Sequence, residues 1–235
     1  MLYLWWLVLL LITIFNGELP CHAATLLTKM VVAYASISPR VAPLWAAQEQ
    51  GFFKKNGIEA ELIFVRGAPT LVAALTSGDM QIGYTGGTAV LGASVAGVDL
   101  KILAVLTNRV TYDLVARNSY IQKNGRLVEN FIKSLVESIA FLLGPANKGA
   151  TLKLLQRRLR VSESEAEEGL TDMLIGMDKK PFPSLDGLRN IQRLMKVRNP
   201  NLGNAKVEDL VDDQILRRLD DGGFIDKTFA AYGVK

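Results

Sequence analysis

The sequence MVVAYASISP at residues 30–39 joins a short apolar run, typical of a buried strand, to a polar turn that ends at a proline. The same order of apolar run, polar turn and helical segment recurs up to about residue 106. Strands are predicted at 30–34, 60–65, 81–84 and 101–106, and helices at 41–53, 69–76 and 88–96. Because strands alternate with helices at this spacing, the sequence predicts a mostly parallel α/β sheet covered on both faces.

From about residue 127 onward the pattern contains helices alone. Helices are predicted over 127–143, over 151–159, from Ser162 onward and over 185–197. Ser162 and Glu165 have the spacing of a capping box, and residues 179–184 form a proline-containing linker. The expected architecture is therefore an α/β lobe followed by an all-helical C-terminal part.

The N-terminus has the form of a secretory signal peptide. Residues 2–15 are an apolar run without a charge, and helix-breaking and small residues follow. These fourteen residues are too few to span a bilayer, which takes about 20 in a helix. We predict a signal peptide over 1–23, a mature start at Ala24 and export to the periplasm. Since no Lys or Arg precedes the run, a buried core helix or a short membrane anchor stays open as the alternative.

Cleavage after Ala23 would remove Cys21 and His22, the only cysteine and the only histidine. Ser-His-Asp and Cys-His nucleophile systems and ordinary His/Cys zinc sites are then excluded, whereas carboxylate, Lys and Tyr chemistry stays open. The 27 basic and 23 acidic residues give a net charge of +4, which becomes +5 when Glu18 is removed. The basic residues are scattered apart from the cluster at 157–160, which favours a solvated helix face and predicts no nucleic-acid partner.

Three polar turns follow the first three predicted strands, at the edge where open parallel sheets bind ligands. Each turn offers hydroxyl groups, backbone N–H groups or glycine at the start of a helix, where the dipole favours an anion. The candidate substrate-binding residues are Ser36, Ile37, Ser38, Gly67, Ala68, Thr70, Thr85, Gly86, Gly87 and Thr88. One such turn is usually only structural, but three at one edge predict a site for a small anionic or strongly polar ligand. Arg66 and Arg109 are candidate anion partners, and no turn has the glycine pattern of a nucleotide-binding loop.

Several segments occur in the order of a known family. They are Ser36-Ile37-Ser38, residues 42–53 (APLWAAQEQGFF), residues 57–62 (GIEAEL), residues 75–82 (LTSGDMQI), residues 86–89 (GGTA), residues 180–188 (KPFPSLDGL) and residues 212–226. Together they resemble the periplasmic solute-binding proteins of nitrate/sulfonate/taurine and thiamine-precursor (THI5-like) ABC transporters. The resemblance implies a type II periplasmic-binding-protein fold, in which two α/β lobes close on a solute. It also implies binding of sulfonates, nitrate, taurine or pyrimidine precursors, delivery to a membrane permease, no enzymatic activity and no cofactor or metal.

The sequence departs from the family after residues 112–117, which resemble the first crossing between lobes. Residues 118–123 lead directly into the helix that follows the return crossing in the family, so the second lobe is expected to be largely missing through an internal deletion. The predicted domains are a signal peptide at 1–23, an α/β lobe at 24–120 and a helical region at 121–235. Since small-ligand pockets ordinarily bury about 70–90 % of the ligand, a single lobe predicts weak solute binding. The surface left uncovered also predicts self-association.

Two other functions stay open at this point. The first is a THI5-like enzyme of pyrimidine-precursor biosynthesis, whose active-site histidine the mature chain would lack. The second is an interaction or sensory lobe that docks on a permease or receptor without carrying solute. Stabilisation by a solute would favour the transport function, whereas capture of a membrane partner without such stabilisation would favour the docking function.

Overall fold

One five-stranded sheet lies between two layers of helices in the computed structural model, which describes residues 26–107 and 112–234. The strands are β1 (Thr28–Tyr34), β2 (Ile58–Phe64), β3 (Ile82–Thr85), β4 (Leu100–Thr107) and β5 (Tyr112–Arg117). Among these described residues, no helix combines the length and the apolar character that crossing a membrane requires. The predicted signal peptide at 1–23, with Cys21 and His22, lies outside the described residues, as does Arg109.

Helices follow β1, β2 and β3 and make up most of the described chain after β5. The α-helices are α1 (Ala42–Glu49), α2 (Phe52–Lys55), α3 (Ala68–Ser77), α4 (Gly87–Val95), α5 (Asn118–Lys123), α6 (Gly125–Leu143), α7 (Lys148–Leu159), α8 (Glu163–Gly176), α9 (Leu185–Lys196), α10 (Gln214–Asp221) and α11 (Phe224–Ala231). Short 3₁₀ helices lie at Pro39–Val41, Pro145–Asn147, Pro200–Asn204 and Val207–Leu210. The predicted helices are thus confirmed, except that the segment 41–53 forms two helices separated by Gly51, whose φ of +75° interrupts the helix. The capping box at the start of α8 is formed by Ser162 and Glu165 as predicted.

The sheet has the strand order β2-β1-β3-β5-β4. β1 pairs in parallel with β2 and β3, while β5 pairs antiparallel with both β3 and β4. Four strands therefore run in one direction and β5 alone runs against them, which confirms the mostly parallel sheet. The sequence analysis did not predict β5, because residues 112–117 were interpreted as a crossing out of the lobe; in the structure they are inserted into the sheet itself.

The two faces of the sheet carry separate hydrophobic cores. Successive side chains of a strand point to opposite faces, so Val32 belongs to one core and Ala33 to the other. The first core contains the apolar faces of α1, α2, α6, α7, α8, α10 and α11. The second core contains those of α3, α4 and α9 with two of the 3₁₀ helices. Helices from the C-terminal part therefore cover both faces.

Helix α6 anchors the C-terminal part to the first core. Its residues Phe131, Ile132, Leu135 and Ile139 are buried at helical spacing, and the Phe131 ring stacks on Phe53 with centroids 5.3 Å apart. After Arg117 the described residues form helices and turns, with one isolated bridge to the sheet at Val211. The all-helical C-terminal part is thus confirmed. The division into domains at residue 120 stays a prediction, since residues on both sides of it share this core.

Candidate functional site

The three polar turns lie side by side at the carboxyl edge of the parallel strands. Tyr34 at the end of β1 is in register with Phe64 of β2 and with Tyr84 of β3. The N–H of Ala35 donates to the carbonyl of Tyr84 at 3.2 Å, and the N–H of Val65 donates to the carbonyl of Tyr34 at 3.0 Å. These hydrogen bonds continue the pairing to the very end of the strands, so the turns that follow leave the sheet as immediate neighbours.

The turn after β1 presents an apolar side chain between two hydroxyls. The Ser36 and Ser38 hydroxyls are 3.3 Å apart and hydrogen-bonded to each other, while Ile37 between them is 57 % exposed. The Tyr84 hydroxyl donates to the carbonyl of Arg40 at 2.8 Å, which fastens the 3₁₀ helix at Pro39–Val41 to the end of β3. The structure therefore holds this turn in place at both ends.

The turn after β2 leads directly into α3. Gly67 has a φ of +92°, in the left-handed region that favours glycine, and no side chain caps the first amides of α3. Ala68 is half-buried at the start of the helix, and Thr70 is exposed one residue after Pro69. Uncapped amides and an exposed hydroxyl thus face outward at the edge, as the sequence predicted.

The turn after β3 is more enclosed than the sequence predicted. Thr88 is exposed, but Gly87 is buried, and a Cβ added there would lie 2.8 Å from Asp113 Oδ2 and 3.0 Å from Leu188 Cδ2. Gly86 precedes α4, whose first amides have no side-chain cap. A larger residue at position 87 would force the Asp113 carboxylate and the Leu188 side chain to move, because both lie close to the Gly87 backbone.

Asp113 is the main feature of this edge that the sequence analysis missed. It is in register with Thr85 across the β3–β5 pair and is 1 % exposed. Its Oδ2 atom has no hydrogen-bond partner among the described residues, and burial raises its pKa to about 7. The only local signal was a carboxylate next to the apolar run Leu114-Val115-Ala116, and that signal needs β5 to be recognised as a strand.

A cavity of about 440 Å³ adjoins Asp113. It is lined by Val105, Asp113, Asp178, Lys180, Phe182, Ser184, Gly187 and Leu188. The Lys180 ammonium pairs elsewhere, with Asp220 at 2.6 Å and Asp226 at 3.5 Å. Among the described residues that line the cavity, carboxylates therefore outnumber free cations. No cluster of three or more potential metal-ligating side chains occurs within 26–107 and 112–234.

A second, apolar groove of about 500 Å³ lies between α3, α4 and α9. It is lined by Ala68, Pro69, Val72, Thr88, Ala89, Gly92, Ala93 and Met195. The groove brings two of the predicted site residues together, Ala68 from the second turn and Thr88 from the third. The aromatic residues Trp45, Phe52 and Phe53 are buried in the first core, on the other face of the sheet.

A sequence model of the NMT1/THI5-like family matches residues 38–120, which include α1 to α4 and the strands β2 to β5. The resemblance found in the sequence is thereby confirmed over this segment. No curated protein sequence matches the chain.

Solved structures share the fold at low sequence identity. A protein of Bordetella bronchiseptica aligns with a TM-score of 0.72 at 9 % identity, covering 83 % of this chain and 97 % of its own. The periplasmic nitrate-binding protein NrtA of Synechocystis aligns with a TM-score of 0.65 at 10 % identity, covering 83 % and 89 %. The periplasmic aliphatic sulphonate-binding protein SsuA of Escherichia coli aligns with a TM-score of 0.58 at 12 % identity, covering 77 % and 95 %. The fold is that of periplasmic binding proteins.

Proposed function

We propose, from the family match over residues 38–120 and the binding-protein fold, that the chain is the extracytoplasmic solute-binding component of an ABC importer. Its solute is a small anionic or polar molecule of the sulfonate, nitrate, taurine or pyrimidine-precursor type. The observation that carries the proposal is the convergence of three turns, two of them leading into uncapped helices, at one carboxyl edge. The turns at 36–38, 67–70 and 85–88 would hold the solute through backbone amides and hydroxyls.

The same proposal includes weak binding, because the chain supplies one wall of the site. The described residues contain one sheet, and the carboxyl edge of β1 and β2 leaves Ile37 and Phe64 exposed at 57 % and 39 %. A solute held there keeps one face in water, so few of its contacts exclude solvent. We expect millimolar rather than micromolar affinity for the isolated chain.

Thermal unfolding and calorimetry test both parts of the proposal. Alkanesulfonates, nitrate, taurine and 4-aminopyrimidines are each titrated up to millimolar concentration. A solute that binds only the folded chain raises the unfolding temperature by mass action. We expect such a rise for at least one class without measurable heat at micromolar solute. Micromolar calorimetric binding would contradict weak binding, and no rise with any class would contradict the transport function.

A matched pair of variants tests where on the chain the stabilising solute binds. Thr70 and Thr76 are both exposed on α3, but Thr70 lies at the carboxyl edge and Thr76 near the other end of the helix. Thr70→Trp should abolish the solute-dependent rise by covering the turn, and Thr76→Trp should leave it unchanged. Equal effects of the two variants would place binding elsewhere on the chain.

The proposed role is not enzymatic, its location is the periplasm and its partner is a membrane permease. The full sequence has one histidine and one cysteine, both inside the predicted signal peptide, so neither would remain to serve as a nucleophile or general base. The exposed Ile37 and Phe64 favour a second role, docking on a permease without solute. Capture of a permease by a variant that no longer responds to solute would support that second role.

A further inference from the structure

Two buried oxygen atoms at the carboxyl edge have no hydrogen-bond partner in the part of the chain that the structure describes. Asp113 Oδ2 and Thr85 Oγ1 accept no hydrogen bond from any described residue, and both side chains are 1 % exposed. The two residues are paired across β3 and β5, so their side chains lie on the same face of the sheet. Burying an acceptor without a donor is costly, and burying an unpaired carboxylate costs more. Two such groups side by side are therefore typical of a site that an external donor completes.

The charged residues around Asp113 and Thr85 indicate whether the external donor is a cation or an anion. Among the described residues lining the adjoining cavity, Lys180 is the only basic one, and its ammonium is held by Asp220 and Asp226. Asp178 adds a second carboxylate to the lining. An anion in this cavity would meet carboxylates without a free cation, although α4 begins beside it at Gly87. A cation would instead supply the missing countercharge.

We propose that the cavity between β4, β5 and α9 binds a primary ammonium group of a small ligand, with the Asp113 carboxylate, which lines the cavity, as its main acceptor. This inference rests on the proposed solute-binding function and narrows its solute class from anionic or polar to amine-bearing. The volume of about 440 Å³ lies within the range of about 300–1,000 Å³ that small-ligand pockets occupy. Burial of Asp113 with no countercharge among the described residues also raises its pKa, because it disfavours the ionised form.

Saturation-transfer NMR on the full mature chain tests the proposal with two probes of similar size and opposite charge, ethylammonium and ethanesulfonate. We expect ethylammonium to bind in the millimolar range. Asp113→Asn, which keeps the shape of the side chain, should weaken it about 10-fold or more, because a hydrogen bond to a charged group is lost. Asp178→Asn, which removes the second carboxylate of the lining, should weaken it about threefold, because an exposed charge contributes less than a buried one.

Asp79→Asn is the matched control, because it makes the same chemical change at an exposed position before β3, at the opposite edge of the sheet. It should leave ethylammonium binding unchanged. Each variant is first shown to unfold cooperatively, and if Asp113→Asn does not fold, the Asp178→Asn result decides.

The outcomes separate this inference from the proposed function. Binding of ethanesulfonate alone, or ethylammonium binding unaffected by the cavity variants, would overturn the ammonium site while leaving solute binding at the carboxyl edge in place. Absence of any ethylammonium signal would also overturn it. The proposed function itself falls only if the broader solute panel gives no stabilisation.

Discussion

At the scale of single residues, Asp113 shows how one carboxylate sets the chemistry of an edge. Thr85, its register partner, carries a hydroxyl, and the backbone of Gly87 lies close to the carboxylate. Neither residue donates a hydrogen bond to Oδ2. Among the described residues no countercharge pairs with this side chain, which therefore lies in a low-dielectric position. Such an arrangement reduces the stability of the free protein and leaves an acceptor ready for a ligand.

Asp113→Asn should stabilise the chain in a pH-dependent manner. Burial raises the pKa of Asp113 from 3.8 to about 7, so the folded chain holds a proton that the unfolded chain releases above pH about 4. The free energy of unfolding therefore falls as the pH rises from about 4 to about 7, by at most about 4 kcal/mol. Urea unfolding at pH 8 should show the variant to be more stable than the parent, and at pH 4 the difference should be small.

The neighbours of Asp113 define the controls for this measurement. Tyr84, Tyr112, Asp178 and Lys180 are the described titratable groups around it. Burial raises the pKa of the Tyr84 phenol well above its usual value, which keeps it outside the window from pH 4 to 8. Asp79→Asn reports the effect of losing an exposed carboxylate. A difference between parent and Asp113→Asn that is the same at pH 4 and pH 8 would show that Asp113 is not ionised against a burial cost.

At the scale of elements, local patterns predicted most of the sheet and its helices. Apolar runs at residues 30–34 and 101–106 and the Ser162 cap needed only neighbouring residues to be recognised. The position of β5 between β3 and β4 was not predictable in this way, because it depends on pairing with strands far apart in sequence. The position of α9 over the sheet was not predictable either, because its Leu188 contacts Gly87, about 100 residues earlier in the chain.

One part of the candidate site was predictable from local patterns and another part was not. The turns after β1, β2 and β3 were predictable, because the carboxyl ends of adjacent parallel strands meet at one edge. Asp113 and the cavity beside it were not, since they need both β5 in the sheet and α9 over it. The chemistry of the edge therefore comes partly from long-range packing that the sequence pattern does not express.

The capping box of α8 offers a direct test at this scale. The Ser162 hydroxyl accepts from the N–H of Glu165, and the Glu165 carboxylate accepts from the N–H of Ser162 at 2.8 Å. Ser162→Ala should lower the free energy of unfolding by about 1 kcal/mol, measured by urea titration. Ser164→Ala, an exposed change in the same turn, should have little effect. Equal losses in both variants would mean that the box does not stabilise α8.

At the scale of the whole molecule, one sheet with a helical layer on each face leaves its carboxyl edge open. The C-terminal helices complete both cores, so the chain needs no second lobe to bury the faces of its sheet. The edge itself has no such cover at Ile37 and Phe64. An uncovered apolar edge favours association with a partner or a second copy.

Self-association should therefore depend on this edge. Sedimentation velocity over a range of protein concentrations should show reversible dimers in the parent, and Ile37→Ser with Phe64→Ser should shift the equilibrium toward monomer. Val95 lies at the far end of α4 and is 38 % exposed. Val95→Ser is the control and should leave the monomer–dimer equilibrium unchanged. A parent that stays monomeric at all concentrations would contradict the predicted association.

We propose that the three turns at the carboxyl edge form the solute-binding wall of this lobe. Amide NMR spectra of the ¹⁵N-labelled protein, recorded during titration with a solute that stabilises it, locate the bound solute residue by residue. We expect chemical-shift changes to concentrate at residues 36–38, 67–70 and 85–88 and at Asp113. Shifts confined to other regions, such as the opposite edge around Asp79 and Ala96, would contradict it.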